Sequence, residues 1–473
     1  MVQARLGIVV LVLVGLIAAG RTTDNQARAT VQAAEFTLEP DLGVVDGFGG
    51  FGAQLNQNLY ADISGPPPGL PNLEAKVLAL QPQFVRVFFN TTAWTNTDRM
   101  DSFVRTVQLA QRAGAQINVT WQGSSFAFAM ANMPRFADVL AGLLQAGVAS
   151  VWVTLFNEPN STRLTLGQYE QVYRSLDAAL RARGVRDRVH FMGGDLVGTP
   201  SPLGQTQVDW FTYMASHMGD LLDAWSIHVY WDFWNAPKIE QRLGDVAAVF
   251  NALPAEQRRP LYVTEFGVRG LTTIEGESNP QPGLAPDGTT MSETTTAAFQ
   301  DAWLMLRAAQ LGFSGAALWD LYPAKYDAGT QDYSAIGPAD RGWPLRPAYR
   351  LLKLLTATTT PRGGRIVDVV AAPGADPAKL VTGYLSPGGN VTILGLDTSG
   401  AVAGASSAAL VPYSVGGLPP GMRFRLVLWN GAGDGTNIEI GSLDSGVTGV
   451  VAFAVPLDAV FALTSTSLGS MLP

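Results

Sequence analysis

The sequence predicts an α/β protein: a (β/α)8 barrel of the TIM type followed by a smaller β-sandwich accessory domain. Three observations carry that expectation. From residue 46 to residue 355 short, strongly apolar runs alternate with amphipathic segments, and eight such runs are present. Two of them end in a single glutamate, at the strand ends where parallel barrels build their sites. From residue 356 to 473 the texture changes to short alternating runs bounded by Gly, Pro, Ser or Asp.

Composition narrows the chemistry. The chain has 473 residues, 47% of them hydrophobic, enough for more than one domain. A net charge of −8 argues against nucleic acid and anionic membrane surfaces as partners. With no cysteine, disulfides, thiolate catalysis and zinc–cysteine sites are excluded. Histidine occurs three times, as His190, His217 and His228, which argues against a multi-histidine metal centre, and no cofactor is expected. Residues 1–29 read as a signal peptide: Arg5, then an apolar run from Leu6 to Ala19, then Ala27-Arg28-Ala29 as a cleavage pattern. Cleavage near Ala19-Gly20 and an uncleaved membrane anchor are the alternatives. Export without disulfides suits a secreted or cell-surface bacterial protein.

The elements follow in order. Residues 30–45 read as a linker, with a weakly alternating strand from Phe36 to Val45. Gly47, Gly49 and Gly52 satisfy G-x-G-x-x-G, but no apolar helical stripe opens after the third glycine, so a dinucleotide site is rejected. Instead the glycines suit a tightly packed first barrel strand. Phe84 to Asn90 is the second strand, and Arg86 within it needs a buried partner. A helix from Asp101 to Ala113 leads to strand three, Ala115 to Trp121, whose terminal indole either floors a ligand subsite or packs the barrel top. The next helix is read as Pro134 to Ala146. Strand four, Val151 to Phe156, runs into Asn157-Glu158-Pro159-Asn160, where proline ends the ladder.

Thr165-Leu166-Gly167-Gln168 has capping-box form and opens a helix closed by Gly184. Strand five, Val189 to Gly194, contains His190, read as a core histidine, and His217 reads as a helical surface residue. On strand six, Trp225 to Trp231, His228 and Tyr230 share a face. Trp231 and Trp234 either present exposed rings at the strand end or pack the loop. Strand seven, Pro260 to Gly267, carries Glu265, and the Gly- and Pro-rich stretch from Gly270 to Thr290 is expected to rim the cleft. A helix from Glu293 to Gln310, strand eight (Gly315 to Asp320, with Trp319) and a closing helix through Leu355 complete the barrel. Ala357 to Gly364 looks like a linker, and strands are expected at 380–385, 390–396, 423–429 and 450–455.

Asn157-Glu158-Pro159 on strand four and Thr264-Glu265-Phe266-Gly267 on strand seven resemble the acid/base and nucleophile motifs of glycoside hydrolase clan A, retaining glycosidases on a (β/α)8 barrel. The resemblance spans residues 45 to 355. It implies that Glu158 and Glu265 are catalytic and that Asn157 binds a sugar 2-hydroxyl. It further implies that Arg86 and Tyr230 support the nucleophile, with His228 beside them, and that Trp319, with Trp121 as a further candidate, floors the sugar. No metal is required, and the partner is a poly- or oligosaccharide. Two glutamates so close repel, so Glu158 is expected to keep its proton through a raised pKa. Asn-Glu-Pro-Asn with a C-terminal β domain is similar to family 39, the glycine-rich first strand to family 30 and strand six to family 5, which leaves the family open. A non-catalytic carbohydrate-binding or cell-surface protein on the same barrel is the alternative.

Overall fold

The computed structural model describes residues 34–61, 68–123, 125–270, 283–326, 329–401, 409–431 and 435–467. The expected signal peptide and most of the stretch from Gly270 to Thr290 lie outside the described residues. The chain opens with β1 (Phe36–Val45) and then alternates through β2 (Gly50–Leu55), α1 (Leu70–Leu80), β3 (Phe84–Asn90), α2 (Thr97–Arg112), β4 (Gln116–Gln122), α3 (Phe126–Gln145) and β5 (Val151–Leu155). It continues through α4 (Leu166–Ala182), β6 (Val189–Leu196), α5 (Gln207–His217), β7 (Ala224–Asp232), α6 (Lys238–Ala252), β8 (Leu261–Arg269), α7 (Thr295–Gln310) and β9 (Phe313–Leu318). A short hairpin, β10 (Ala324–Tyr326) and β11 (Gly329–Gln331), precedes α8 (Pro347–Thr358). Strands β2 to β9 close into an eight-stranded barrel, and every neighbouring pair is parallel.

Alternation along these strands fills the lumen in layers. At the base, Phe84, Met192, Ala224, Tyr262 and Ala317 form an apolar plug. Above it the same faces turn polar: Asn118 donates to Thr154 (3.0 Å), and Arg86 donates to Thr120 (2.9 Å). The mouth carries Phe88, Trp319, Tyr333 and Tyr230. Residues in the other phase, such as Val85, Val87 and Phe89 on β3, enter the core between barrel and helices.

Helix boundaries differ from the sequence expectation in informative ways. α3 begins at Phe126, two turns before Pro134, because the Ser125 hydroxyl caps the Phe128 amide (3.3 Å) and Ala129 and Met133 join the core. α2 likewise starts earlier, with the Asn96 side chain accepting from the Arg99 amide. α4 has both hydrogen bonds of the expected capping box.

The remaining strands are β12 (Arg365–Ala371), β13 (Lys379–Leu385), β14 (Val391–Asp397), β15 (Leu410–Gly416), β16 (Arg423–Asn430), β17 (Asn437–Asp444), β18 (Val451–Pro456) and β19 (Ala459–Thr464). With β1 they make one nine-stranded sheet ordered β17-β16-β19-β14-β13-β12-β1-β15-β18. The sheet curls over its own core: the ring of Tyr413 on β15 lies 4.8 Å from that of Phe461 on β19, so the two ends face each other as in a sandwich. β1 pairs with both β12 and β15, so the N-terminal strand belongs to the β domain. The expected linker at Ala357 to Gly364 is corrected: α8 runs to Thr358, and Thr358 and Thr359 are buried at the junction of barrel and sheet.

Candidate active site

Arg86 sets the electrostatics of the mouth. It is fully buried on β3 and has five N–H donors, each with an acceptor. Nε donates to Thr120, Nη1 to Gln54 Oε1 (3.1 Å) and to Glu265 Oε2, and Nη2 to Asn157 Oδ1 (2.7 Å) and Asp195 Oδ2 (2.6 Å). A buried guanidinium without counter-charges would be costly, and here two carboxylates answer it. Glu265 also accepts from the Tyr230 hydroxyl (2.7 Å), so its two oxygens are each held by one donor.

Glu158 is placed by an unusual backbone. Phe156, Glu158 and Asp195 all have positive φ, at 66°, 52° and 54°. Each non-glycine residue in that region costs on the order of 1–3 kcal/mol, a strain typical of functional sites. The turn carries Glu158 across the mouth to His228, whose Nδ1 lies 3.1 Å from Glu158 Oε1. The same nitrogen is 3.8 Å from Glu265 Oε1, and Nε2 is 3.5 Å from Asp195 Oδ1. One oxygen of Glu158, one of Glu265 and a nitrogen of His228 lie within 4.8 Å of one another. Of the described residues these three are the group able to hold a metal ion, although a cation there would displace the Arg86 and His228 contacts.

Charge follows from that geometry. Burial opposes the His228 imidazolium, yet the charges of Glu265 and Asp195 outweigh it and raise its pKa to about 9. Asp195 is fully buried, which alone would raise its pKa; Arg86 and His228 hold it well below the usual carboxylate range. For Glu158, burial also pushes upward, but the hydrogen bond and charge of His228, with Arg86 behind, bring the net shift below the ordinary value. The expected raised pKa of Glu158 is therefore corrected for the free protein. The proton of the site rests on the imidazole, one hydrogen bond away.

Of the residues singled out in the sequence, the structure brings together Arg86, Asn157, Glu158, His228, Tyr230 and Glu265, with Trp319 beside Phe88 at the mouth (ring centroids 5.7 Å apart). Trp121 is a correction. It is fully buried, stacked on Phe128 (6.2 Å) and edge-on to Phe156 (5.5 Å), because on β4 the lumen phase belongs to Asn118 and Thr120. Trp231 faces outward too and donates to Gln300 (2.8 Å), whereas Trp234 is 55% exposed. Asp195 was missed. Strand six of the chain, β6, runs two residues past Gly194, and Asp195 there accepts from Ser226 (2.7 Å) and Thr264 (2.6 Å) as well as from Arg86. The signal was the one that marks the glutamates: an acid at the end of an apolar strand.

No protein-family model matches the sequence, and no curated relative matches it either. Solved structures do. A family 30 xylanase C catalytic domain from Talaromyces cellulolyticus superposes with a TM-score of 0.63 at 10% identity, covering 91% of this chain and 100% of that one. A family 51 α-L-arabinofuranosidase from Bifidobacterium longum gives 0.63 at 13% identity, over 91% and 99%. The chain has the fold of the clan A glycosidases. A family 30 subfamily 8 xylanase from Clostridium acetobutylicum, with a TM-score of 0.59 at 10% identity over 91% and 99%, shares both the barrel and the extent of this clan A fold.

Proposed function

We propose that this protein is a retaining glycoside hydrolase that cleaves β-glycosidic bonds of a poly- or oligosaccharide through a covalent glycosyl-enzyme intermediate. The observation that carries the reading is the approach of two strand-end carboxylates, Glu158 and Glu265, to within 4.8 Å. Retaining enzymes need about 5–5.5 Å between the two groups, and inverting ones need room for a water at about 6.5–9.5 Å. Glu265, oriented by Arg86 and Tyr230, attacks the anomeric carbon as the glycosidic C–O bond breaks. The leaving oxygen takes its proton from Glu158, which draws on His228 Nδ1 across their hydrogen bond once sugar excludes water. Water then attacks the glycosyl ester, Glu158 accepts its proton, and Glu265 leaves as a carboxylate. Asn157, fixed by Arg86, is placed for the 2-hydroxyl of the sugar, and Trp319 for its apolar face. Export to the cell exterior is part of the proposal and rests on the N-terminal apolar run.

Replacing Glu265 by Ala tests it. Turnover of aryl β-glycosides should fall by about five orders of magnitude or more, as expected when a nucleophile is removed. Azide should restore part of it by yielding the glycosyl azide of inverted configuration. Normal turnover in that variant would overturn the assignment, and binding of glycans without release of sugar by the unmodified protein would favour the non-catalytic alternative.

A further inference from the structure

Beside the catalytic pair lies a cavity of about 470 Å³, a size that accommodates a sugar unit. Its wall includes His228 and Tyr230, whose side chains are bonded to Glu158 and Glu265, so it adjoins the catalytic pair. Three cations stand in the rest of the wall: Lys238 and Arg242 come from α6 and Arg269 from the end of β8. Asp245 is the one acid among its described lining residues, and it is exposed. Such a concentration of positive charge runs against a chain whose net charge is −8.

Among the described residues none of the three cations is in an ion pair, and the exposed Asp245 acts on Arg242 through its charge alone. No carboxylate of the described residues lies within 4.0 Å of any of them, whereas the buried or half-buried Arg86, Arg186, Arg307 and Arg346 are each paired with an acid. Arg242 is bonded to neutral acceptors, Gln207 Oε1 and the Leu196 carbonyl (3.1 Å), and burial lowers its pKa to about 10. Arg269 lies over the Tyr230 ring, 5.4 Å from its centroid. The Gln207 side chain adds a fourth donor, since its Nε2 is buried and has no hydrogen-bond partner. Arg269 is also hydrogen-bonded to the Tyr333 side chain, so the acceptors of the two arginines are neutral, and half-buried cations met only by neutral acceptors favour an anionic ligand.

We propose that the substrate is an acidic glycan, and that a carboxylate or sulfate on the sugar at or next to the scissile bond enters the pocket formed by Lys238, Arg242 and Arg269. This rests on the glycosidase reading and narrows its substrate class. A planar guanidinium pairs with either oxyanion through two hydrogen bonds, so a uronic acid and a sulfated sugar share the chemistry.

Three matched pairs test it with the full-length protein: aryl β-glucuronide against aryl β-glucoside, a uronic acid-containing polysaccharide against its carboxyl-reduced form, and a sulfated glycan against its desulfated form. The acidic member of at least one pair should be cleaved with the higher kcat/KM, and its advantage should shrink as salt rises. The pair that shows the effect distinguishes carboxylate from sulfate. Arg242 also holds the end of β6, so the informative variant is Lys238→Met, at a side chain that has no hydrogen bond or ion pair among the described residues. There the acidic-to-neutral ratio should fall by at least about tenfold, the loss of one charge-assisted contact. Equal or better cleavage of every neutral member, or a ratio unchanged in the variant, overturns the proposal while leaving the glycosidase reading intact. Failure to cleave any of the six overturns both.

Discussion

His228 faces three carboxylates, Glu158 and Glu265 from Nδ1 and Asp195 from Nε2, and every one of them favours the imidazolium. The free protein therefore keeps the site's proton on the ring rather than on Glu158, and loses it as pH rises through about 9. If that proton feeds the leaving group, the basic limb of kcat/KM against pH should lie near 9 in the unmodified protein. In His228→Gln the proton can be held only by Glu158, a carboxyl beside a second carboxylate, and the basic limb should move to lower pH. A limb that stays in place would mean that the imidazole does not supply the proton. At this scale the site was largely legible from residue type and phase. Glu158 and Glu265 declared themselves as acids ending apolar strands, and His228 and Tyr230 as neighbours in period two. The protonation pattern was not legible, because it depends on Asp195, whose partners Ser226, Thr264 and Arg86 come from three other strands.

Among the elements, barrel strands were readable because burial on both faces leaves near-continuous apolar runs. α1 and α6 and the strands β12, β15, β17 and β19 were not identified, and of α5 only the end around His217 was read as helical. β17 shows why: its burial is mostly exposed or intermediate along its length, so only pairing with β16 defines it. Trp121 shows the converse failure, since its place at a strand end suggested exposure while its phase dictated the helix side. α7 makes a prediction of its own. Twelve of its sixteen residues are buried, Asp301 among them, and Asp301 Oδ1 has no hydrogen-bond partner. Burial raises the Asp301 pKa well above 3.8, so the folded chain binds this proton more tightly than the unfolded one. The associated stability is full below the ordinary aspartate range and is lost as pH rises towards the folded-state pKa. Asp301→Asn carries no such proton. Its denaturation midpoint should therefore gain on that of the unmodified protein as pH goes from about 4 to about 7.5, the interval above the ordinary aspartate pKa. A constant difference between the two would show that Asp301 is ionised in the folded state.

On the scale of the molecule, the β domain is part of the barrel's core. One continuous apolar cluster runs from the barrel strands through α7 and α8 to Leu380, Tyr384, Leu394, Val427, Trp429 and Val460 of the sheet. Polar contacts reinforce it: Trp429 Nε1 donates to the Pro347 carbonyl (3.1 Å), Thr392 to that of Thr358 (2.8 Å) and Asn437 to that of Arg350 (2.8 Å). The partition drawn from texture at residue 356 thus marks a change of architecture, not of cooperativity. Trp429 is the sharpest probe, being fully buried against Phe299 on α7 (ring centroids 6.4 Å apart) and α8. Trp429→Ala should cost about 3–5 kcal/mol, the range for deleting a large buried ring, and the loss should appear in the barrel as much as in the sheet. Thermal unfolding followed by loss of catalytic activity and by β-sheet signal should give one coincident transition in both proteins, shifted to lower temperature in the variant. Two separate transitions, with activity surviving the first, would mean that the barrel folds independently and that the shared core contributes little to its stability.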